Sequence, residues 1–281
     1  MKANVRPASE DQLDELRIGV VKSFDKLRGS LGADVAQGWI GNSLALDRLM
    51  EGLISPESTV PAEPPKPELL LELVNSITLA ATTKKFVAKD RFVVDTSCRA
   101  KVKISGIGDN FDNWFLAGDG RVEDPIGQTD LRSHKLLKYS VDGPIITELG
   151  GIEMATTGLT HAFSLMEKQP NSPDSNVGPL LVNGWWNILY VPQAVTKLDG
   201  NRFSYINKKG KTITDEVSNP AYLFEINSQW MVLRAVSVHW SVDGWFVIAR
   251  SVESPDGWFG GARVFSRNFV LKPMEPVPAA S

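Results

Sequence analysis

The chain has 281 residues, 42% of them hydrophobic and 22% charged, with a formal charge of -3. That is enough apolar material for one large core or two ordinary ones, and the slightly acidic balance gives no general attraction to nucleic acid or to an anionic membrane surface. The single cysteine, Cys98, excludes an intramolecular disulfide and suits a cytoplasmic protein. No secretory signal opens the chain and no apolar run approaches the roughly 20 residues of a membrane helix, so no membrane span is expected.

Ser9 and Gln12 have capping-box spacing, and Leu13, Leu16, Val20, Phe24 and Leu27 follow at helical intervals. A second periodic stretch carries Val35, Trp39, Leu46, Leu49, Met50 and Leu53. Residues 1–54 are therefore expected to form a helical hairpin joined near Gly29 and Gly32. Residues 55–67 hold five prolines in thirteen positions and read as an extended linker. Behind Pro67, the spacing of Leu70, Leu73, Val74 and Ile77 predicts a third helix over 68–81.

From Phe86 the period shortens. Strands are expected at 86–88, 91–95 and 101–105, the last because Lys101, Lys103 and Ser105 alternate with Val102 and Ile104. Asp142-Gly143-Pro144 opens a segment to Lys168 that reads as one helix or two short ones, divided at Gly150-Gly151. The rest is strand-like, at about 179–191, 201–207, 211–217, 221–226, 230–240, 245–253 and 263–271. Turns are placed at Asp199-Gly200, 208–210 and 242–244. Val232 to Trp240 alternates in a way that lets one sheet face be buried and the other stay partly wet. The expected class is α+β: the N-terminal helical hairpin, then over 68–271 a mainly antiparallel β-domain, β-rich from 179, with one or two packed helices. The Pro-rich residues 272–281 are expected to be a disordered tail.

The stretch Lys85-Phe86-Val87-Ala88-Lys89, Phe92-Val93-Val94-Asp95-Thr96, Gly108-Asp109-Asn110-Phe111, Asn113-Trp114-Phe115-Leu116 and Val264-Phe265-Ser266-Arg267-Asn268 resembles a module of uncharacterised bacterial hypothetical proteins, covering about 84–270. The resemblance implies no activity, cofactor or site residue. Residues 193–229 depart from that module and read as a hairpin inserted between two strands.

Signatures of catalysis are sparse. There is no Gly-x-Ser-x-Gly and no Walker phosphate loop, and Phe111 stands where a dinucleotide fingerprint begun by Gly106 and Gly108 needs its third glycine. Cys98 next to Arg99 could be an activated thiol, against the plainer reading of an incidental cysteine. His134, His161 and His239 are too scattered for an ordinary zinc site. Asp109, Asp112, Asp119, Glu123, Asp124 and Asp130 could turn oxygens toward a hard cation, with Asp109, Asp112, Asp119 and Asp124 as its ligands. A solvated acidic loop is the plainer explanation, because charge runs usually sit in water.

Most of the eight tryptophans lie from Trp185 onward. Trp185, Trp186, Trp240, Trp245, Trp258 and Phe259 could offer rings to a partner, in competition with core packing. These features favour a non-enzymatic protein-binding or assembly module without a cofactor, meeting a partner protein or self-associating through its N-terminal helices. The alternatives are a metal-dependent hydrolase built on 109–130 near His134 and a carbohydrate-binding β-domain.

Overall fold

The computed structural model describes residues 69–171 and 177–268. All of them belong to the second of two units, Glu68–Ser281. The expected hairpin at 1–54, linker at 55–67 and tail at 272–281 lie outside the described residues.

In chain order the elements are β1 (Leu71–Leu79), β2 (Phe86–Val87), α1 (Ala88–Arg91), β3 (Ile104–Ile107) and α2 (Asp109–Phe111), which runs into a π turn (Asp112–Leu116). Next come β4 (Val122–Glu123), β5 (Thr129–Leu136), α3 (Asp142–Glu148), α4 (Ile152–Ala155) and α5 (Leu159–Lys168). The remaining strands are β6 (Asn187–Ala194), β7 (Thr196–Lys197), β8 (Arg202–Ile206), β9 (Thr212–Glu216), β10 (Leu223–Ile226), β11 (Gln229–Trp240), β12 (Trp245–Ser251) and β13 (Arg263–Arg267).

The body is mainly β, which corrects the expected α+β class. Its centre is an eight-stranded sheet in the order β1-β5-β13-β6-β11-β12-β3, with β10 beside the start of β11. The sheet is mixed, because β13 runs parallel to β6 and β12 parallel to β3. Local turn signals reveal antiparallel neighbours such as β11 and β12, whereas parallel partners need long connections that leave no local trace.

The sheet is buried on both sides, not on one. Leu189 and Val191 of β6, Val236 and Val238 of β11 and Val247 of β12 face one core, while Ile188, Tyr190, Ala235 and Val264 face the other. The first core is closed by α5 and by a phenylalanine stack in which Phe92 lies 4.9 Å from Phe111 and 5.4 Å from Phe163. Residues of α3 and α4 close the second. Two-sided burial accounts for the nearly continuous apolar runs of β6 and β11. Gly150 and Gly151, at φ +100 and +92, end α3 and start α4 where the sequence predicts a break, although the segment makes three helices in all.

Where a helix was expected over 68–81, the chain forms β1, an edge strand paired antiparallel with β5. Its register skips between Leu73 and Asn75, leaving Val74 as a bulge. The bulge turns the strand over: Leu71, opposite Leu136, joins one core, and Leu79 packs into the other with Leu131. A change of face in mid-strand breaks the period of two and produces apolar spacings of three and four, which imitate a helix.

The inserted segment 193–229 holds more than a hairpin. It contains β7, β8 and β9, which pair antiparallel as a separate three-stranded sheet.

Candidate functional site

The aromatic residues singled out in the sequence divide between core and surface. Trp245 is fully buried, Trp240 and Trp258 nearly so, and Trp240 meets Trp245 edge-on at 5.2 Å. Trp186 is half-buried between His239 at 4.1 Å and Trp258 at 5.9 Å. Trp185 (39% exposed) and Phe259 (63%) face solvent, and Phe259 packs edge-on against exposed Tyr139.

The carboxylates of 109–130 do not converge. Asp109 and Asp112 both accept from the Lys208 ammonium, at 3.2 and 3.0 Å. Asp119 faces Lys89 at 3.7 Å and Asp124 faces Lys85 at 3.4 Å. Asp130 accepts from the Thr78 hydroxyl, and Glu123 accepts the Leu159 and Thr160 N–H groups at the start of α5. Among the described residues no group of three or more His, Cys, Asp or Glu could hold a metal ion. His134 contacts the Ser266 hydroxyl at 3.2 Å, His239 packs against aromatic rings, burial holds both below the usual histidine range, and Cys98 is exposed.

One constellation that the sequence did not signal is a polar knot at Asp142, which is fully buried. Its Oδ1 accepts from Trp258 Nε1 at 2.7 Å and from the Tyr190 hydroxyl at 2.8 Å, and its Oδ2 from Arg250 Nη2 at 3.0 Å. The Arg250 guanidinium also lies 3.6 Å over the Trp258 ring. Burial lifts the Asp142 carboxyl above the usual carboxylate range, against the pull of Arg250 and of the two neutral donors. With both oxygens engaged by protein donors, Asp142 fastens α3 to β6, β12 and the turn carrying Trp258.

A cavity of about 310 Å³ lies between the stretch after α2 and the inserted sheet, in the size range of small-ligand sites. Trp114, Arg121 and Gln193 on the body, with Ser204, Ile206 and Thr212 on the insert, are among its lining residues. The insert is clasped over it at two places. Asn113 Oδ1 accepts the Lys208 N–H at 3.1 Å, and Lys208 Nζ spans Asp109 and Asp112, whose hydrogen bonds raise its pKa, Asp112 most.

Arg234 stands behind the wall, 2% exposed on β11. Its guanidinium lies 3.9 Å over the Trp114 ring and 5.5 Å from that of Phe203, donates through Nε to Gln193 Oε1 at 2.8 Å, and reaches only 3.8 Å from the Asp215 carboxylate on β9. Desolvation pulls its pKa down to about 10, so it keeps its charge at neutral pH. An arginine gives hydrogen bonds and accepts none, which fixes the carbonyl side of the Gln193 amide toward Arg234 and leaves its N–H₂ as the free side.

The lining residues include no His, Cys, Asp or Glu. The cavity can position a ligand by stacking, donor groups and one cation, and it offers no nucleophile with a base beside it. Its one legible sign is that Gln193 follows the apolar run 188–192 and Arg234 stands inside the apolar run 230–236. A second recess, of about 320 Å³ beside His161 and Arg267, borders Asn268, where the described chain ends. Comparison with protein-family models, with curated proteins and with solved structures finds no match for the chain.

Proposed function

We propose that this chain is a non-enzymatic binding module whose recognition element is the three-stranded insert and the cavity beneath it. The observation that carries this reading is the lining itself: aromatic rings, an arginine, amides and hydroxyls, with no His, Cys, Asp or Glu among the lining residues to activate them. A thermal-melt screen of the full chain against a general metabolite library tests it, repeated on Ile206→Trp, which puts bulk at the exposed rim. A compound that raises the melting temperature of the wild type but not of the variant, and that is recovered unchanged, supports the reading. No such compound, or one converted during incubation, overturns it.

A second reading, contact with a protein, is favoured by the exposed surface on which Leu137, Tyr139, Trp185 and Phe259 lie near the 256–261 turn. Self-association of this face, or of the N-terminal segment, would show by light scattering as fewer chains per particle in Phe259→Ser or in a chain starting at Pro67, respectively. Among the described residues no helix is long and apolar enough to cross a membrane. A reducing, cytoplasmic setting is the location we favour for a chain with one exposed cysteine.

A further inference from the structure

We infer that the ligand of this cavity is a small organic carboxylate, held by the guanidinium of Arg121 and the free N–H₂ of Gln193; the inference rests on the binding reading above.

Arg121 is the only charged residue among those lining the cavity. Its hydrogen-bonding capacity is nearly unspent: Nη1 reaches only the Met231 sulfur, at 3.8 Å, and Nε is buried without an acceptor. Glu123 lies within ion-pair distance, 3.8 Å from Nε, but accepts no hydrogen bond from it; its oxygens take two backbone N–H groups of α5 and the Thr160 hydroxyl at 2.6 Å. A largely buried guanidinium without an oxygen acceptor is costly unless something else supplies one. Gln193, 1% exposed, has its carbonyl committed to Arg234, so it too presents a donor. Both donor-bearing residues are thus among those lining a space to which no acidic side chain contributes.

Charge and size narrow the class. One lining cation matches a carboxylate monoanion, whereas a phosphate dianion is ordinarily met by several cations or by a row of backbone N–H groups. At about 30 Å³ for each water in the liquid, 310 Å³ corresponds to a ligand of on the order of ten non-hydrogen atoms. Thr196, Ser204 and Thr212 add hydroxyls to the lining, which suits a hydroxy acid better than a fatty acid.

The test is calorimetric titration of the full chain with malate against its diamide, gluconate against glucose, and glycerol phosphate. Malate or gluconate should bind and their neutral counterparts should not. Arg121→Gln should weaken binding at least about tenfold, Arg121→Lys should weaken it less, and Ile206→Trp should abolish it, giving the same readout should Arg121→Gln not fold. Equal binding of the neutral compounds would overturn the carboxylate and leave the cavity as a binding site. Glycerol phosphate binding alone would also overturn the carboxylate, as would carboxylate binding that survives Arg121→Gln. Silence from every compound here and in the metabolite screen would remove the binding reading itself.

Discussion

Removing one member of a buried ion pair strands the other without water, and Asp142 with Arg250 is such a pair, 0% and 17% exposed at the side chain. Asp142→Asn should cost about 3 kcal/mol in denaturant unfolding. Adding Arg250→Met should restore part of that loss, because the stranded cation is gone; losses that simply add would show that the two side chains act independently. His161 makes the other residue-scale expectation. Its Nδ1 accepts the Gly158 N–H at 3.0 Å, and burial pulls its pKa from 6.5 down to about 4. Between those values the unfolded chain takes up a proton that the folded chain refuses. Stability from this group is therefore complete above pH 6.5 and falls as the pH drops toward 4, by up to about 3 kcal/mol. His161→Gln keeps an acceptor and cannot titrate, so its melting temperature should depend less steeply on pH over that window. Parallel curves for variant and wild type would contradict this.

At the scale of elements, the bulge in β1 carries the clearest consequence. Deleting Val74 would force one half of the strand to present its apolar side chains to the wrong face, exposing either Leu71 or Leu79 at about 2 kcal/mol or more for each buried leucine. Val74→Thr, at a half-exposed position, should change denaturant stability little by comparison. An equal effect of the two changes would mean that the register is not set there. The Lys208 clasp predicts a local effect instead. Exposed pairs of this kind add little global stability, so Lys208→Ala should leave the melting temperature close to that of the wild type while speeding amide exchange in β8 and β9. Unchanged exchange would show that the insert is held from elsewhere. The strands from β8 to β12 were legible because their limits are written in local turn residues such as Asp199-Gly200 and Val242-Asp243-Gly244. β1 was not, because a bulge at a sheet edge erases the period by which strands are recognised.

At the scale of the whole molecule, strand order and the site were hidden for one shared reason. Trp114 and Arg121 lie more than seventy residues before Gln193 and more than a hundred before Arg234, and no spacing rule joins them. The reading of 193–229 as a single hairpin carried no sign of the cavity beside its three strands. The same separation governs the sheet, in which β13 is the last strand among the described residues and lies between β5 and β6. Ending the chain at Gly260 removes the strip that joins the β1–β5 pair to the other strands. The shortened protein should lose its cooperative thermal transition and become sensitive to protease, and a sharp transition near the full-length midpoint would show the centre of the sheet to be dispensable.

For a polypeptide emerging from the ribosome, this placement means that the central seam stays open until residues 263–267 have emerged, well after the strands they join. Two strips of strand wait side by side with their apolar faces wet until the closing piece arrives. The hazard of aggregation therefore falls in the interval between the emergence of β6 and that of β13.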